Sequence, residues 1–261
     1  MDMVTRNGTS ASTVSTTETS LAVIETIRTH DGIRLRQLAE ELDLSKSTVH
    51  AHLTTLRDTR YVVKEGEFYH LGLKFFELGE YVISRKEIYD IAEEEITALN
   101  DRTNRIADFS VEEHGRVVSL YSELYDSQST FLSDRRTFYM HNTASGKAIL
   151  AECSNSRVER ITDQWGLPHE TDHSISTTDE LFAELENTRE RGYAVNDEEV
   201  VTGLYSVAKP VYQPHGRVCG AVSLDCPKYR VTNDTIDDFV AHLDRTVQNI
   251  ERTLGERSST G

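Results

Sequence analysis

The polar side chains between residues 45 and 52 have the types and spacing that DNA recognition requires. In order, these residues are Ser45, Lys46, Ser47, Thr48, Val49, His50, Ala51 and His52. Hydroxyl, amine and imidazole groups hydrogen-bond to base edges and phosphates, and short side chains let a helix enter the major groove closely. A solvated helical hairpin can carry the same residues, so this stretch alone leaves both interpretations open.

Three other motifs resemble catalytic or metal-binding sequences, but each lacks part of what its chemistry needs. Residues 169–173 spell HETDH, which is similar to a zinc-protease motif, yet Pro168 precedes them and no apolar stripe would bury a helix there. We interpret this segment as a surface loop. Gly146 and Lys147 lack the other residues of a phosphate loop, and Ser145 has no nucleophile-elbow context. We predict no catalytic residue, no metal and no cofactor, and keep a hydrolase or metal-dependent enzyme as the alternative function.

Two short helices joined by a tight turn would place the polar groups of residues 45–52 on an exposed face. Apolar residues recur at helical spacing on both sides of this turn. They are Leu35, Leu38, Ala39 and Leu42 in the first helix, and Val49, Leu53 and Leu56 in the second. Ser45 stands where a helix N-cap belongs, because its hydroxyl can accept a backbone N–H of the following turn.

A helix before this pair and a β-hairpin after it complete the pattern of a winged helix-turn-helix. The β-prone runs 61–63 and 68–71 flank a turn that contains glycine. We predict a DNA-binding domain over residues 20–71, after a disordered tail at residues 1–19. The predicted DNA contacts are Arg36, Ser45, Lys46, Ser47, Thr48, His50, Ala51, His52, Arg57, Lys64 and Tyr69.

Residues 72–87 form a predicted linker helix whose apolar surface is wider than one small domain can cover. The apolar side chains are Leu73, Phe75, Phe76, Leu78, Tyr81 and Val82. Such a surface suits packing against a second copy of the same helix in a dimer. Burial against a second domain of the same chain would use it equally well, so both interpretations stay open.

Residues 88–254 alternate between helical and strand patterns, which indicates an α+β domain before a tail at residues 255–261. Helices are predicted at 88–99, 142–150, 155–165, 178–191 and 232–254. Strands are predicted at 106–111, 116–121, 129–132, 193–195, 205–212 and 218–224. Thr178 is the predicted N-cap of its helix. Because helices precede and follow the antiparallel strands, we expect a sheet that is covered on both faces.

The formal charge of −16 is distributed unevenly along the chain. Residues 21–84 carry 8 Lys and Arg against 10 Asp and Glu, a net charge of −2, whereas residues 85–261 carry 19 against 32, a net charge of −13. A large acidic excess is typical of proteins adapted to high intracellular salt, which screens self-repulsion. High salt also reduces the counterion-release part of DNA affinity, so base contacts and dimerisation must contribute more.

The composition indicates a cytoplasmic protein with a packed core. Apolar residues make up 37% of the chain, but no run reaches the length of about 18 residues that a membrane span needs. The N-terminus has no apolar signal-peptide segment. Cys153, Cys219 and Cys226 are too few and too scattered for a disulfide framework. We therefore expect an intracellular protein that has no membrane partner.

Five stretches together resemble the IclR family of bacterial and archaeal transcription regulators. They are LAEELDLSKSTVHAHLTTL, YVVKEGEFYHLGLKFFELGEY, NTASGKAIL, RERGYAVNDEEVVTGLYSVAKPV and GRVCGAVSLDCPKYRVT. Each is modest alone, but their order and spacing are specific. The resemblance implies an N-terminal winged helix, a linker helix and a C-terminal effector-binding domain with a GAF-like α+β fold. It also implies homodimers, often paired into tetramers, on palindromic operators in double-stranded DNA.

The expected function is a ligand-responsive, sequence-specific regulator of a catabolic pathway that senses a small metabolite such as an organic acid or a sugar derivative. The resemblance assigns the effector pocket to matching positions of this sequence. They are Ala144, Ser145, Gly146, Asn196, Leu204, Ser206, Ser223 and Asp225.

Three of these positions depart from the family pattern. Asn196 stands where Asp is frequent, Ser206 where Cys is frequent, and Asp225 where Ser or a similar residue is frequent. A carboxylate at position 225 would disfavour an acidic effector and favour a polyol, a sugar or a cation. If Asp225 instead points into solvent from the end of its strand, it carries no such implication.

Overall fold

Residues 13–123 and 135–258 are described by the computed structural model, and they form two compact units. The first unit ends at Arg85 and the second begins at Lys86. Both units mix helices with antiparallel strands, which confirms the predicted α+β class. Within the described residues, no helix is both long and apolar enough to cross a lipid bilayer.

The N-terminal unit is a winged helix-turn-helix. Its elements are α1 (Ser15–Thr29), β1 (Ile33–Arg34), α2 (Leu35–Glu41), α3 (Lys46–Asp58), β2 (Val62–Glu65), β3 (Phe68–Leu71) and α4 (Lys74–Ser84). Strand β3 lies between β1 and β2 and pairs antiparallel with both. Gly66 lies in the β2–β3 turn with a φ of +59°, a conformation that glycine adopts without steric cost. The sequence predicted this hairpin but not β1, because two residues make no periodic pattern.

One apolar core holds α1, α2 and α3 together. Ile27 of α1, Leu38 of α2, and Val49 and Leu53 of α3 are each at most 1% exposed. Burying one such side chain stabilises the fold by about 1.5–3 kcal/mol. These contacts leave the opposite face of α3 in solvent, which is the face that carries the polar residues of interest.

The C-terminal unit is an antiparallel sheet with helices packed on both faces. Its helices are α5 (Glu87–Thr103), α6 (Ala144–Ala151), α7 (Asn155–Trp165), α8 (Thr178–Arg191) and α9 (Asn233–Ser258). Its strands are β4 (Ile106–Glu113), β5 (Arg116–Glu123), β6 (Thr137–Tyr139), β7 (Ala194–Asp197), β8 (Leu204–Tyr212) and β9 (Val218–Pro227). The strand order is β6-β5-β4-β9-β8-β7, so β4 and β9 are neighbours at the centre of the sheet. Helices α5 and α9 pack on the sheet, and α6 packs on β8, β9 and α8, as the expected two-sided cover requires.

Two details of the C-terminal unit differ from the prediction. Thr177, not Thr178, is the N-cap of α8. It forms a capping box in which the Thr177 hydroxyl accepts the Glu180 backbone N–H and the Glu180 carboxylate accepts the Thr177 backbone N–H. Two adjacent threonines made the choice ambiguous from sequence. Strand β6 was not predicted, because three residues carry too weak a pattern, and the strand predicted at 129–132 lies outside the described residues.

Both predicted tails are partly wrong, because helices extend into them. Helix α1 begins at Ser15, within the segment 1–19, and the Thr19 hydroxyl donates to the Ser15 carbonyl at 3.0 Å. Helix α9 continues to Ser258, whose hydroxyl donates to the Leu254 carbonyl at 2.8 Å. The prediction followed apolar periodicity, and helical hydrogen bonding continues beyond the last apolar contact at each end.

Candidate nucleic-acid interface and ligand pocket

The N-terminus of α3 presents a cluster of hydroxyl groups to solvent. Ser45 is the N-cap, and its Oγ accepts the Thr48 backbone N–H at 3.1 Å. The same Oγ lies 2.8 Å from both Ser47 Oγ and Thr48 Oγ1. These contacts hold the three hydroxyls at one helix end, where backbone N–H groups and the helix dipole favour a phosphate.

Most of the predicted DNA contacts are exposed. Lys46, Ser47, Thr48, His50 and Ala51 all lie on the solvent side of α3. Three basic residues outside this cluster, Arg36, Arg57 and Lys64, are also exposed. Arg36 Nε forms an exposed ion pair with Glu40 at 2.8 Å, which a phosphate could replace at little cost.

Two of the predicted DNA contacts face the interior of the unit. His52 is half-buried, and its Nδ1 lies 2.8 Å from the Ser20 hydroxyl of α1. The prediction is wrong for Tyr69, which is 5% exposed in the core because inward and outward residues alternate along β3. On the outer face of the hairpin, Phe68 is 40% exposed and lies under the Arg34 guanidinium, 4.7 Å from ring centroid to Cζ.

A cavity of about 100 Å³ lies between the sheet and the N-terminus of α6 in the C-terminal unit. Seven of the eight predicted effector residues line it. They are Ala144, Ser145, Asn196, Leu204, Ser206, Ser223 and Asp225. The eighth, Gly146, packs against the backbone, because a Cβ at this position would lie 2.3 Å from the Met140 carbonyl oxygen. Gly146 therefore allows the close approach that positions α6 and does not itself line the cavity.

Strand register brings the polar lining together from distant parts of the sequence. Asn196, Ser206, Asp225 and Ile106 form one row across β7, β8, β9 and β4. In the adjacent row, Ser223 of β9 pairs with Asp108 of β4. Side chains two residues apart on a strand share a face, so Asp108 and Asp225 project into the same cavity.

Asp225 does not point into solvent. It is 9% exposed, and burial raises the pKa of its carboxyl to about 7, with the nearby Asp108 carboxyl raising it further and a hydrogen bond from Ser206 opposing the shift. Burial likewise raises the pKa of Asp108 to about 6, although Ser110, Ser119 and the positive charge of Arg136 counteract part of the shift. The cavity therefore contains two carboxyl groups that titrate close to neutral pH.

Sequence patterns missed the residues that complete the cavity. They are Asp108, Ser110, Ser119, Ser122, Arg135, Arg136 and Phe138, together with the apolar Ile106, Val117, Val200 and the capping Thr143. One signal was available, since an aspartate in the middle of an otherwise buried strand is rare unless its carboxyl is paired or functional. The register that pairs Asp108 with Ser223 had no signal in the sequence.

A buried ion cluster lies behind the cavity along α6. Lys147 is 1% exposed, and its ammonium group donates to Glu199 and lies 3.7 Å from Glu184. Glu184 in turn accepts from Arg191 at 2.6 Å. Burial raises the pKa of Glu199 and Lys147 opposes that shift. The cluster adjoins the cavity because Asn196 Oδ1 accepts the Glu199 backbone N–H at 2.9 Å.

The HETDH segment is a loop between α7 and α8, as interpreted from the sequence. Glu170 pairs with Arg135 at 2.6 Å and accepts from Asn142 at 2.7 Å, so its carboxylate supports the wall of the cavity. In the part of the chain that the structure describes, no group of three or more His, Cys, Asp or Glu side chains could hold a metal ion.

This chain carries a winged helix-turn-helix and, in a separate unit, a polar cavity. That combination is typical of one-component transcription regulators, which hold DNA-binding and ligand-binding domains in one chain. Comparisons with known proteins give the family. The IclR helix-turn-helix domain matches residues 16–66, and the domain described as bacterial transcriptional regulator IclR C-terminal matches residues 80–252. The chain belongs to the IclR family of transcriptional regulators. This membership confirms the predicted regulator function and leaves the enzyme alternative without support.

Individual relatives agree with this assignment. The "Probable HTH-type transcriptional regulator ArcR" of Halobacterium salinarum is 33% identical over 236 residues, which are 88% of this chain and 90% of that protein. The solved structure of Thermotoga maritima IclR has a TM-score of 0.78 at 24% identity and covers 92% of this chain and 99% of that one. An IclR homolog from Microbacterium hydrocarbonoxydans complexed with 4-hydroxybenzoate has the same TM-score at 18% identity and covers 92% and 99%.

Proposed function

We propose that this regulator binds a palindromic operator through α3 and responds to a small metabolite bound in the cavity beside α6. The exposed hydroxyl cluster of Ser45, Ser47 and Thr48 carries the DNA part of the proposal. His50 and Ala51 lie one turn further along the same helix, where they would meet base edges. Lys46, Arg57 and Lys64 would contact phosphates, which position the protein without specifying sequence.

The charge of the N-terminal unit indicates that base contacts would contribute a large share of the DNA affinity. The N-terminal unit carries a net charge of −2 over residues 21–84, where Lys and Arg number 8 and Asp and Glu number 10. Few phosphates can be neutralised by so few basic groups, so little affinity comes from counterion release. Short side chains at the start of α3 and two binding units held at a fixed spacing would supply the remainder.

The exposed face of α4 supports a homodimer. Leu73, the N-cap of α4, and Phe76, Tyr81 and Val82 within the helix are 86%, 64%, 64% and 51% exposed, which is unusual for large apolar side chains so close together. Phe75 contacts Tyr61 edge to face at a centroid distance of 5.2 Å, which fixes α4 to the winged helix. A dimer formed through α4 would hold two α3 helices across a two-fold axis and would give the operator its symmetry.

The other expected properties belong to the same proposal. The effector would be a small metabolite such as an organic acid or a sugar derivative, and one relative of this fold is complexed with 4-hydroxybenzoate. Its binding would shift the population between operator-competent and operator-incompetent arrangements of the dimer. Dimers could pair further into tetramers, and the protein would act in the cytoplasm, where its DNA target is.

The test is enrichment of genomic DNA fragments by the full-length protein in high-salt buffer, followed by sequencing and gel-shift titration of the recovered motif. We expect a motif with two-fold symmetry. The double change Ser47→Asp and His50→Ala should weaken its binding by roughly 10- to 100-fold, because it puts a carboxylate against phosphates and removes a base contact.

Thr17→Asp is the matched control, since it adds the same charge at an exposed position of α1. It should leave affinity within about twofold of the wild type. Unchanged affinity of the Ser47/His50 variant would refute the proposed contact surface, and an asymmetric motif would refute the dimeric mode of binding.

A further inference from the structure

The hydrogen bonds around the two buried carboxyls of the cavity leave acceptor positions on those carboxyls unfilled, although Arg135 and Arg136 supply donors elsewhere in the lining. Ser110 and Ser119 both donate to Asp108, one to each carboxylate oxygen. The hydrogens of these two hydroxyls are therefore used, and only their oxygen lone pairs remain for a ligand. Each Asp108 oxygen can accept one further hydrogen bond, because a carboxylate oxygen has about two acceptor positions.

The Asp225 side of the cavity has the same arrangement. Asn196 Nδ2 donates to Ser206 Oγ at 3.2 Å, and Ser206 donates to the Asp225 carboxyl. Asn196 Oδ1 already accepts the Glu199 backbone N–H at 2.9 Å. The Asp225 carboxyl therefore keeps acceptor positions that these hydrogen bonds do not fill. A ligand that donates several hydrogen bonds would satisfy both sides of the cavity.

The geometry points to a polyhydroxylated ligand, a polyol or a sugar, whose hydroxyl groups donate to Asp108 and Asp225. This inference rests on the proposed function, because it takes the cavity to be the effector site. It narrows the effector from small metabolites in general to one chemical class. It also assigns recognition to Asp108, which lies outside the five stretches that resemble the family.

Two other ligand classes fit less well. A simple carboxylate has acceptors only, so it could meet Arg135 and Arg136 but would leave the unfilled acceptors of ionised Asp108 and Asp225 without a donor. An organic cation would meet the positive end of the α6 dipole, since Ala144 and Ser145 of the first turn line the same cavity. Phe138 is the one aromatic side chain among the described lining residues, whereas cation-binding sites commonly use several. A neutral hydroxylated ligand conflicts with neither end of the cavity.

The raised pKa values of the two carboxyls agree with this class. A carboxyl that titrates near pH 7 is partly protonated there, and in that form it can donate as well as accept. A hydroxyl group also does both, so either protonation state of Asp225 finds a complementary partner on a polyol. A carboxylate ligand could hydrogen-bond to Asp225 only if that carboxyl carried a proton.

The experiment measures binding to the full-length protein in high-salt buffer without DNA, by calorimetry and by the shift of the thermal midpoint. The probes are ribitol, mannitol, arabinose and glucose, compared with pyruvate, 4-hydroxybenzoate and putrescine. We expect at least one polyhydroxylated probe to bind more tightly than pyruvate, 4-hydroxybenzoate and putrescine. Asp108→Asn and Asp225→Asn should each weaken that binding by roughly 10- to 100-fold, because each removes a charged hydrogen-bond acceptor.

Glu113→Gln is the matched control, since it neutralises an exposed carboxylate at the end of the same strand β4. It should leave affinity within about twofold. The inference is overturned if no polyhydroxylated probe binds at millimolar concentration, if a carboxylate or putrescine binds most tightly, or if both Asn variants keep wild-type affinity. Two variants are used so that a folding failure of one leaves the other decisive.

Operator binding distinguishes this inference from the function on which it rests. If pyruvate or 4-hydroxybenzoate changes the gel-shift affinity while no polyol binds, the inference fails and the proposed function stands. If a polyol binds through Asp108 and Asp225 but no genomic fragment is enriched, the ligand class stands and the proposed DNA function fails.

Discussion

Helices α3 and α6 begin in the same way and lie in opposite environments. Each has a hydroxyl N-cap, Ser45 or Thr143, that accepts a backbone N–H three residues later, at 3.1 Å and 3.0 Å. Each has small or polar residues in its first turn and a lysine near its start. In α3 the first turn is exposed, whereas every residue of α6 is buried.

This difference shows that a capped helix start is a local signal whose use is decided by its surroundings. Lys46 extends into solvent, where it can meet a phosphate, but Lys147 is 1% exposed and bound to Glu199 and Glu184. The exposed helix end has the features of a surface for a large charged partner. The buried helix end forms one wall of a cavity that only a small molecule can enter.

The largest predicted difference in stability between the two helix starts appears when each lysine is replaced by alanine. Lys147→Ala leaves Glu199 buried without its partner and should lower the free energy of unfolding by about 3–5 kcal/mol. Lys46→Ala should change it by at most about 0.5 kcal/mol, because the side chain is exposed. Guanidinium unfolding of both variants measures the difference.

A double variant separates the contribution of the ion pair to stability from that of side-chain packing. Lys147→Met with Glu199→Leu removes both charges and should recover most of the lost stability, since an apolar pair of similar size is often neutral or stabilising. Equal effects of the two alanine changes would show that α6 is no more buried than α3 in solution.

The second prediction concerns pH. Burial raises the pKa of Asp225 from 3.8 to about 7, so between these values the folded protein holds a proton that the unfolded chain has released. This group therefore lowers the free energy of unfolding as pH rises through that window. Asp225→Asn removes this contribution. The free energy of unfolding of the variant should therefore rise relative to that of the wild type by up to roughly 4 kcal/mol between pH 4 and pH 8.

The measurement is guanidinium unfolding at several pH values. Ser223→Ala is the control, because it alters the same cavity without removing a titrating group. Its difference from the wild type should be constant with pH. A pH-independent difference for Asp225→Asn would mean that this carboxyl is solvated in the folded protein.

The smallest predicted effect is the difference in stability lost when the N-cap of α3 or of α6 is removed. Ser45→Ala should cost about 1 kcal/mol, the usual value for losing a cap in solvent. Thr143→Ala should cost about 2 kcal/mol, because Thr143 also donates to the Tyr139 carbonyl at 3.1 Å and water reaches this end of α6 less easily. Thermal unfolding measures both.

Glycine at each cap provides the comparison, since it replaces a side-chain cap at a cost of only a few tenths of a kcal/mol. Ser45→Gly should be close to the wild type. Thr143→Gly should remain clearly destabilised if the buried Tyr139 contact matters, and a value equal to that of Ser45→Gly would contradict the difference between the two helix ends.

The winged helix was predictable because its information is local. Apolar spacing marked α2 and α3, Ser45 marked the start of α3, and two β-prone runs around Gly66 marked the hairpin. Where local patterns failed, the elements were short, as with β1, or depended on which face of a strand was inside, as with Tyr69. Alternation predicts that one face is buried but does not say which one without the rest of the domain.

The cavity was predictable only in part. Motif similarity supplied seven lining residues, and the same similarity wrongly placed Gly146 among them. It could not supply Asp108 or Ser119, because neither belongs to a recognisable motif. Their position depends on the pairing of β4 with two other strands. Strand β5 follows β4 after a few residues, but β9 begins more than 100 residues later.

The sequence by itself determined the class of this protein: a helix-turn-helix with a wing, an apolar linker helix and an acidic α+β domain. Those features follow from residue types at short, regular spacing, which set helix caps, strands and turns. Only the tertiary structure decided that Asp225 and Asp108 share one cavity and that Lys147 is buried while Lys46 is exposed. Hydrogen-bond register between distant strands and the burial of a helix are properties of the whole packed domain, and no local pattern encodes them.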